Sequence, residues 1–156
     1  PPRSTLFPYT TLFRSNNNKP HSLGNYGGKF VYLSFINPRS YTSVQELEVL
    51  KKLHARNFEM LEIITICACS KIEEMQKLIK EKSYNWKFLY YAGNLDLIKR
   101  YNVKVYPTYY LINPEGKLAM IPAFPPTEPS FEARYLDMLR SWKNELERRK
   151  AKGLQR

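Results

Sequence analysis

KFVYLSFINPRSYTSVQELEVLKKL, residues 29–53, is the stretch on which the reading of this chain turns. From Lys29 to Ile36, the side chains of Phe30, Val31, Tyr32, Leu33 and Phe35 make a near-continuous apolar, β-prone run. That pattern suits a central strand covered on both faces. Asn37-Pro38 ends the run, because the residue before a proline is pushed away from helical backbone and the proline lacks an N–H. Val44, Leu47, Leu50 and His54 then recur at helical spacing. Thr42 or Ser43 is the candidate N-cap, and Glu46, three residues beyond Ser43, completes a capping box. A strand, a short loop and a helix in this order place the loop at the carboxyl end of a strand, where α/β domains usually bind and react.

The same alternation continues downstream. Met60 to Cys69 (MLEIITICAC) reads as a second buried strand, and Ser70 as the cap of a helix with Ile72, Met75, Leu78 and Ile79 on one face. Trp86 to Tyr90 is a short strand, and Asn94 opens a brief helix through Leu97, Ile98 and Tyr101. Pro107 to Ile112 and Lys117 to Ile121 flank the turn Asn113-Pro114-Glu115-Gly116 and form a hairpin. A final helix carries Phe131, Tyr135, Met138, Leu139, Trp142 and Leu146 on its buried stripe. The order β-α-β-α-β-α-β-β-α predicts an α/β fold, a three-layer α/β/α sandwich. Its sheet is mixed and mostly parallel, with a C-terminal β-hairpin and a last helix. The expected division is a loop over 16–28, a domain over 29–147 and a basic tail over 148–156.

Composition narrows the function classes. The chain has 156 residues, 43% hydrophobic and 25% charged, which suits one globular domain with its own core. It contains no apolar run long enough to span a bilayer. Much of the net charge of +11 lies near the C-terminus, where Arg140, Lys143, Arg148, Arg149, Lys150, Lys152 and Arg156 outweigh Glu145 and Glu147. A solvated helix end is the plain reading of that run. Nucleic-acid binding through the tail is the alternative, but no basic stripe interleaved with aromatics supports it, so nucleic acid is not an expected partner. Cys67 and Cys69 are too few and too close for a disulfide framework. His21 and His54 lack metal-ligand spacing, so neither a metal nor a cofactor is expected.

Three features coincide: the strand-loop-helix from Phe35 to Leu47, the segment YNVKVYPTYYLINPEGKL from Tyr101 to Leu118, and the element order between them. Together they resemble the thioredoxin-like superfamily, in particular its TlpA/ResA-type, redoxin-like branch of bacterial envelope proteins, over roughly residues 23–142. The resemblance implies a role in cell redox homeostasis, a location in the bacterial periplasm or cell envelope, and a cis-proline at Pro107. It also implies a Trp-Cys-x-x-Cys motif at the helix N-terminus, with a glutamate three residues past the second cysteine. Laying Glu46 on that glutamate puts Ser40 and Ser43 on the cysteine positions and Arg39 on the tryptophan. A thiol at a helix N-terminus is activated by the helix dipole and free N–H groups. A serine hydroxyl cannot form a disulfide, so Ser40 and Ser43 cannot exchange disulfides. The chain then reads as a redox-inactive binding or structural module for a protein or peptide partner. Arg39, Tyr41, Tyr106 and Pro107 would line its groove.

The alternative is a thiol-disulfide oxidoreductase working through Cys67 and Cys69. Strand alternation puts both side chains on one face of a buried strand, which favours structural thiols over a redox pair or a soft-metal site. A hydrolytic pairing of Ser40 with His54 has no third member and no nucleophile elbow. The aromatic run of Tyr90, Tyr91, Tyr106, Tyr109 and Tyr110 reads as core and sheet packing. Finally, Thr5 to Ser15 (TLFPYTTLFRS) is similar to the in-frame translation of a common sequencing adapter. Residues 1–15 are therefore expected to lie outside the fold, disordered, with the native N-terminus and any signal peptide missing.

Overall fold

In the computed structural model, residues 12–120 and 123–153 are described. The central strand is Phe30–Ile36 (β3), every residue of it buried. Leu61–Cys67 (β4) pairs with it in parallel, and Lys87–Tyr90 (β5) pairs in parallel with β4. On the other side of β3, Thr108–Ile112 (β6) runs antiparallel and turns back into Leu118–Met120 (β7). The turn between them is held by the Asn113 carboxamide oxygen, which accepts from the N–H groups of Glu115 and Lys117 at 3.0 and 2.9 Å. Gly116 sits there at φ 82°, a conformation that glycine adopts without a Cβ penalty.

Two short strands complete the sheet: Leu12–Ser15 (β1), antiparallel to β5, and Pro20–Ser22 (β2) beyond it. The strand order is β2-β1-β5-β4-β3-β6-β7. The sheet is mixed, as expected, but its parallel part is confined to β5-β4-β3. Two boundaries differ from the sequence reading. The supposed N-terminal loop contains β2 and a 3-10 turn over Leu23–Tyr26. The residues expected to lie outside the fold include β1, where Phe13 is 1% exposed and packs 5.8 Å from the Tyr101 ring. An apolar side chain that alternates inward finds an open edge at β5 whatever the origin of its codons. Residues 1–11 lie outside the described part, as do Ile121, the expected end of the hairpin, and residues 154–156.

Helices cover both faces, and chain direction decides which. From β3 to β4 and from β4 to β5 the chain steps the same way across the sheet. Right-handed crossovers therefore put Tyr41–Ala55 (α1) and Ile72–Lys82 (α2) on one face. The step from β5 back to β6 puts Leu95–Arg100 (α3) on the other. The core divides accordingly. Leu47 and Leu50 of α1 and Met75 and Leu78 of α2 share one cluster with Phe30, Tyr32 and Ile36. It also takes in Phe131, Tyr135 and Leu139 of Ser130–Ala151 (α4). Ile98 of α3 joins Val31, Leu33, Phe35, Ile64 and Ile66 in the second cluster.

The last helix runs through Ala151, so the expected tail from 148 is in part helical. Arg148 and Arg149 reach back to Glu145 at 2.5 and 3.4 Å, Arg149 also reaches Glu115, and Lys150 pairs with Glu147. Basic side chains in a last turn also suit the helix dipole. Inside the sheet, one polar cluster is buried. Ser34 of β3 and Thr65 of β4 share a 2.7 Å hydroxyl contact, and the Trp86 indole N–H donates to Thr65 at 2.9 Å. Ser34 and Thr65 are fully buried, and these bonds supply the partners that water cannot.

Candidate functional site

The carboxyl ends of β3 and β4 lie side by side, with Ile36 opposite Cys67. The start of β6 lies against the end of β3, with Phe35 opposite Thr108. One sheet edge therefore gathers the loop Asn37–Ser40, the Tyr106–Pro107 step and the Cys67–Cys69 segment. The candidates Arg39, Ser40, Tyr106, Pro107, Cys67 and Cys69 lie in or beside these segments, and His54 does not.

The first turn of α1 is built by its serines, though not in the expected roles. Ser40 is the N-cap, and its hydroxyl accepts from the Ser43 N–H at 3.3 Å. Ser43, predicted as a cap, is instead buried inside the first turn, and its hydroxyl accepts from the Asn37 N–H at 3.3 Å. The cap falls three residues earlier than one of the predicted positions because Asn37 folds the loop tightly. Its carboxamide oxygen accepts from the Arg39 N–H at 2.9 Å, and its carbonyl from the Ser40 N–H at 2.9 Å. Glu46 forms no capping box. Its carboxylate takes the Thr127 hydroxyl at 2.9 Å and stands near Tyr32 and Tyr109. Both phenols are raised above the usual tyrosine range by burial first, then for Tyr109 by the charge of Glu46 and for Tyr32 by Tyr109 and, after it, Glu46.

The proposed groove residues part ways. Tyr41 is 78% exposed and Val105 68%, while Tyr106 and Pro107 are half-buried. Tyr106 packs against the second core cluster, and its hydroxyl pKa is raised by burial and by neighbouring Tyr91. The Tyr106–Pro107 peptide bond is cis. Arg39 is exposed but not free, since its guanidinium pairs with Glu74 of α2 at 2.8 Å. Nothing local in the sequence signals that contact between residues 39 and 74. His54 lies in the last turn of α1, about 21 Å along the helix from Ser40 at the usual rise per residue. The hydrolytic pairing of Ser40 with His54 is thereby excluded.

Cys67 and Cys69 are both free thiols, 0% and 3% exposed, in the cluster beneath α1 and α2. The neighbouring Cys69 thiol, followed by burial and the charge of Glu74, pushes the Cys67 thiol well above the ordinary range. The Cys67 thiol in turn lowers the Cys69 pKa, against burial and Glu74. Ser70 does not cap α2. The N-cap is Lys71, which makes no side-chain cap hydrogen bond, and the turn is closed by the Glu74 N–H donating to the Lys71 carbonyl at 3.2 Å. Among the described residues, no group of three or more His, Cys, Asp or Glu is placed to hold a metal, and no helix is long and apolar enough to cross a membrane.

No protein-family profile matches the chain, and no curated protein matches it. Solved structures do. A candidate thiol-disulfide oxidoreductase from Bacteroides vulgatus superimposes with a TM-score of 0.75 at 16% identity, covering 82% of this chain and 85% of its own. The pneumococcal exposed lipoprotein thioredoxin Etrx1 from Streptococcus pneumoniae gives 0.68 at 22% identity, covering 82% and 98%. A secreted Mycobacterium tuberculosis disulfide oxidoreductase, homologous to E. coli DsbE, gives 0.61 at 20% identity, covering 70% and 80%. The fold is thioredoxin-like, shared with thiol-disulfide oxidoreductases.

Proposed function

We propose that this domain is a redox-inactive member of that fold, acting as a binding module for an extended protein or peptide segment in a bacterial envelope protein. The observation that carries the reading is the first turn of α1. Its cap and its inner position are Ser40 and Ser43, and the described thiols, at and just past the end of β4, are buried. Hydroxyls there cap the helix but offer no sulfur to attack a disulfide. What the edge does present is apolar surface, Tyr41 and Val105 beside Tyr106–Pro107, which is suited to anchoring a partner chain. Placement in the envelope rests on the secreted and lipoprotein character of two structural neighbours.

Two assays test the reading. Insulin reduction by dithiothreitol should run no faster with the protein than in buffer. Reduced, carboxymethylated α-lactalbumin, an extended chain without free thiols, should bind, and Tyr41→Ser with Val105→Ser should abolish that binding. Failure of the double variant to weaken it would remove the groove from the account.

The second reading has its own observation: Cys67 and Cys69 are free thiols at the end of β4, on the same sheet edge. If insulin is turned over and Cys67→Ser stops it, the domain is a thiol-disulfide oxidoreductase with a displaced pair.

A further inference from the structure

We propose that the cavity between α4 and β7 binds a small anionic amphiphile, a short-chain fatty carboxylate with its chain inside and its carboxylate on Arg134. The cavity has a volume of about 420 Å³, within the roughly 300–1,000 Å³ of small-molecule clefts. Phe30, Ala119, Met138 and Trp142 form its apolar walls. Arg134 and Ser141 continue the Met138 stripe of α4 at helical spacing. From β7 the cavity receives only the small Ala119 side chain, and the Trp142 ring stands edge-on to Phe30 at 6.3 Å, walling the space without filling it. Phe30 begins β3 and Asn113 follows β6, so the cavity lies toward the opposite end of the sheet from Tyr106–Pro107 and owes nothing to peptide binding there.

Charge at the cavity selects the ligand. Arg134 and Asp137 are the ionised groups that line it. Asp137 is already paired with Arg140 at 3.4 Å. Arg134 makes no ion pair with a carboxylate among the described residues, and its guanidinium lies over the Phe124 ring, 5.4 Å from the centroid. A ring face steadies a cation without neutralising it. The uncompensated charge is therefore positive, and a planar guanidinium takes a carboxylate through two parallel hydrogen bonds. Behind that charge an apolar chain meets walls that already exclude water, with Phe30 only 2% exposed. A cationic amphiphile of the same length would meet Arg134 as a like charge.

The test titrates the full chain with octanoate in a calorimeter and follows its tryptophan indole N–H resonances by NMR. Octanoate should bind once per chain. Octyltrimethylammonium, and octanoate offered to Arg134→Gln, should each bind about tenfold more weakly or worse, the loss of a charge-assisted hydrogen bond. Ala119→Leu fills the cavity and should abolish binding. Of the two tryptophans only Trp142 lines the cavity, so its indole resonance should move on addition of octanoate, while that of Trp86, bonded to Thr65, should stay. The wild-type spectra and the cationic probe decide the matter even if Ala119→Leu does not fold. A chain that takes up no octanoate overturns the proposal. So does equal affinity for the cationic probe, full affinity in Ala119→Leu, or a shift confined to Trp86.

Discussion

Two neighbouring strand ends in this molecule are near copies in architecture and opposites in chemistry. β3 and β4 run parallel, each ends at the same sheet edge, and each passes into a helix on the same face. At the end of β3 the helix N-terminus is well capped and accessible, with Ser40 as cap and Tyr41 outside, but it has no sulfur. At the end of β4 there is sulfur, Cys67 and Cys69, but it is buried, and α2 starts without a side-chain cap. Thiol chemistry needs a thiolate, a stabilising helix end and access together. Here they are divided between two adjacent loops, the capped and accessible helix end at one and the sulfur at the other.

The most direct way to break the contrast is to put sulfur where the access is. Ser40→Cys/Ser43→Cys should turn the β3 end into a redox site, with insulin reduction rising from the buffer level. The more exposed introduced thiol should titrate between about 3.5 and 7.5, against about 8.5 for a free one. A double variant that forms no disulfide and reduces nothing would mean that the loop geometry, and not only the serines, has left the active arrangement.

The β4 end can be probed by alkali. Cys67 and the phenols of Tyr32, Tyr84, Tyr109 and Tyr135 are all raised in the folded protein. Groups raised on folding contribute stability that is intact below their unfolded values and lost as pH climbs past them. Denaturant midpoints should therefore hold steady near neutrality and fall above pH 9.0 and 10.0, the ordinary thiol and phenol values. Cys69 is tied to Cys67 and would itself be raised by burial without it, so the Cys67→Ala/Cys69→Ala variant is the one in which the loss should begin later, and an unchanged onset would count against a thiol contribution.

Between the two ends, the Ser34–Thr65–Trp86 cluster ties β3 to β4. Thr65→Val takes the acceptor from the Trp86 indole N–H and leaves the Ser34 hydroxyl only the 3.5 Å contact to the Ile64 carbonyl, and should cost about 1–3 kcal/mol in urea unfolding. Ser40→Ala removes only the cap of α1 and should cost about 0.5–2 kcal/mol. The smallest effect belongs to the bridge that spans the two loops. Arg39→Ala breaks the pair with Glu74, but Arg39 is 79% exposed, so the loss should stay within about 0.2–1 kcal/mol and shrink with added salt.

Much of the scaffold was legible because its signals are local. The apolar run at Phe30–Ile36, the second apolar strand (read as Met60 to Cys69, observed as Leu61–Cys67), the Asn113–Gly116 turn and the stripe through Phe131, Tyr135 and Leu139 all declare themselves within a few residues. The errors fell where a remote contact chose among local options. Ser40, Thr42 and Ser43 are all acceptable caps by type, and the fold of Asn37 over the loop selected Ser40. Glu46 has the right spacing for a capping box, yet Thr127, far along the chain, holds its carboxylate. Phe13 lies in a segment that reads as extraneous, and the open edge of β5 recruited it into the sheet.

By itself, the sequence determined the alternation of strands and helices, the absence of sulfur from residues 37–43, and hence that the dithiol chemistry of the fold cannot run there. Side-chain identity and local periodicity suffice for those conclusions, because a hydroxyl cannot become a thiolate in any environment. Only the tertiary structure decided which serine caps α1, that Arg39 is tied to Glu74, and that Cys67 and Cys69 are buried in the core cluster shared with α1 and α2. Those outcomes depend on parallel strands bringing residues far apart in the chain to one edge, and burial at that edge sets their chemistry.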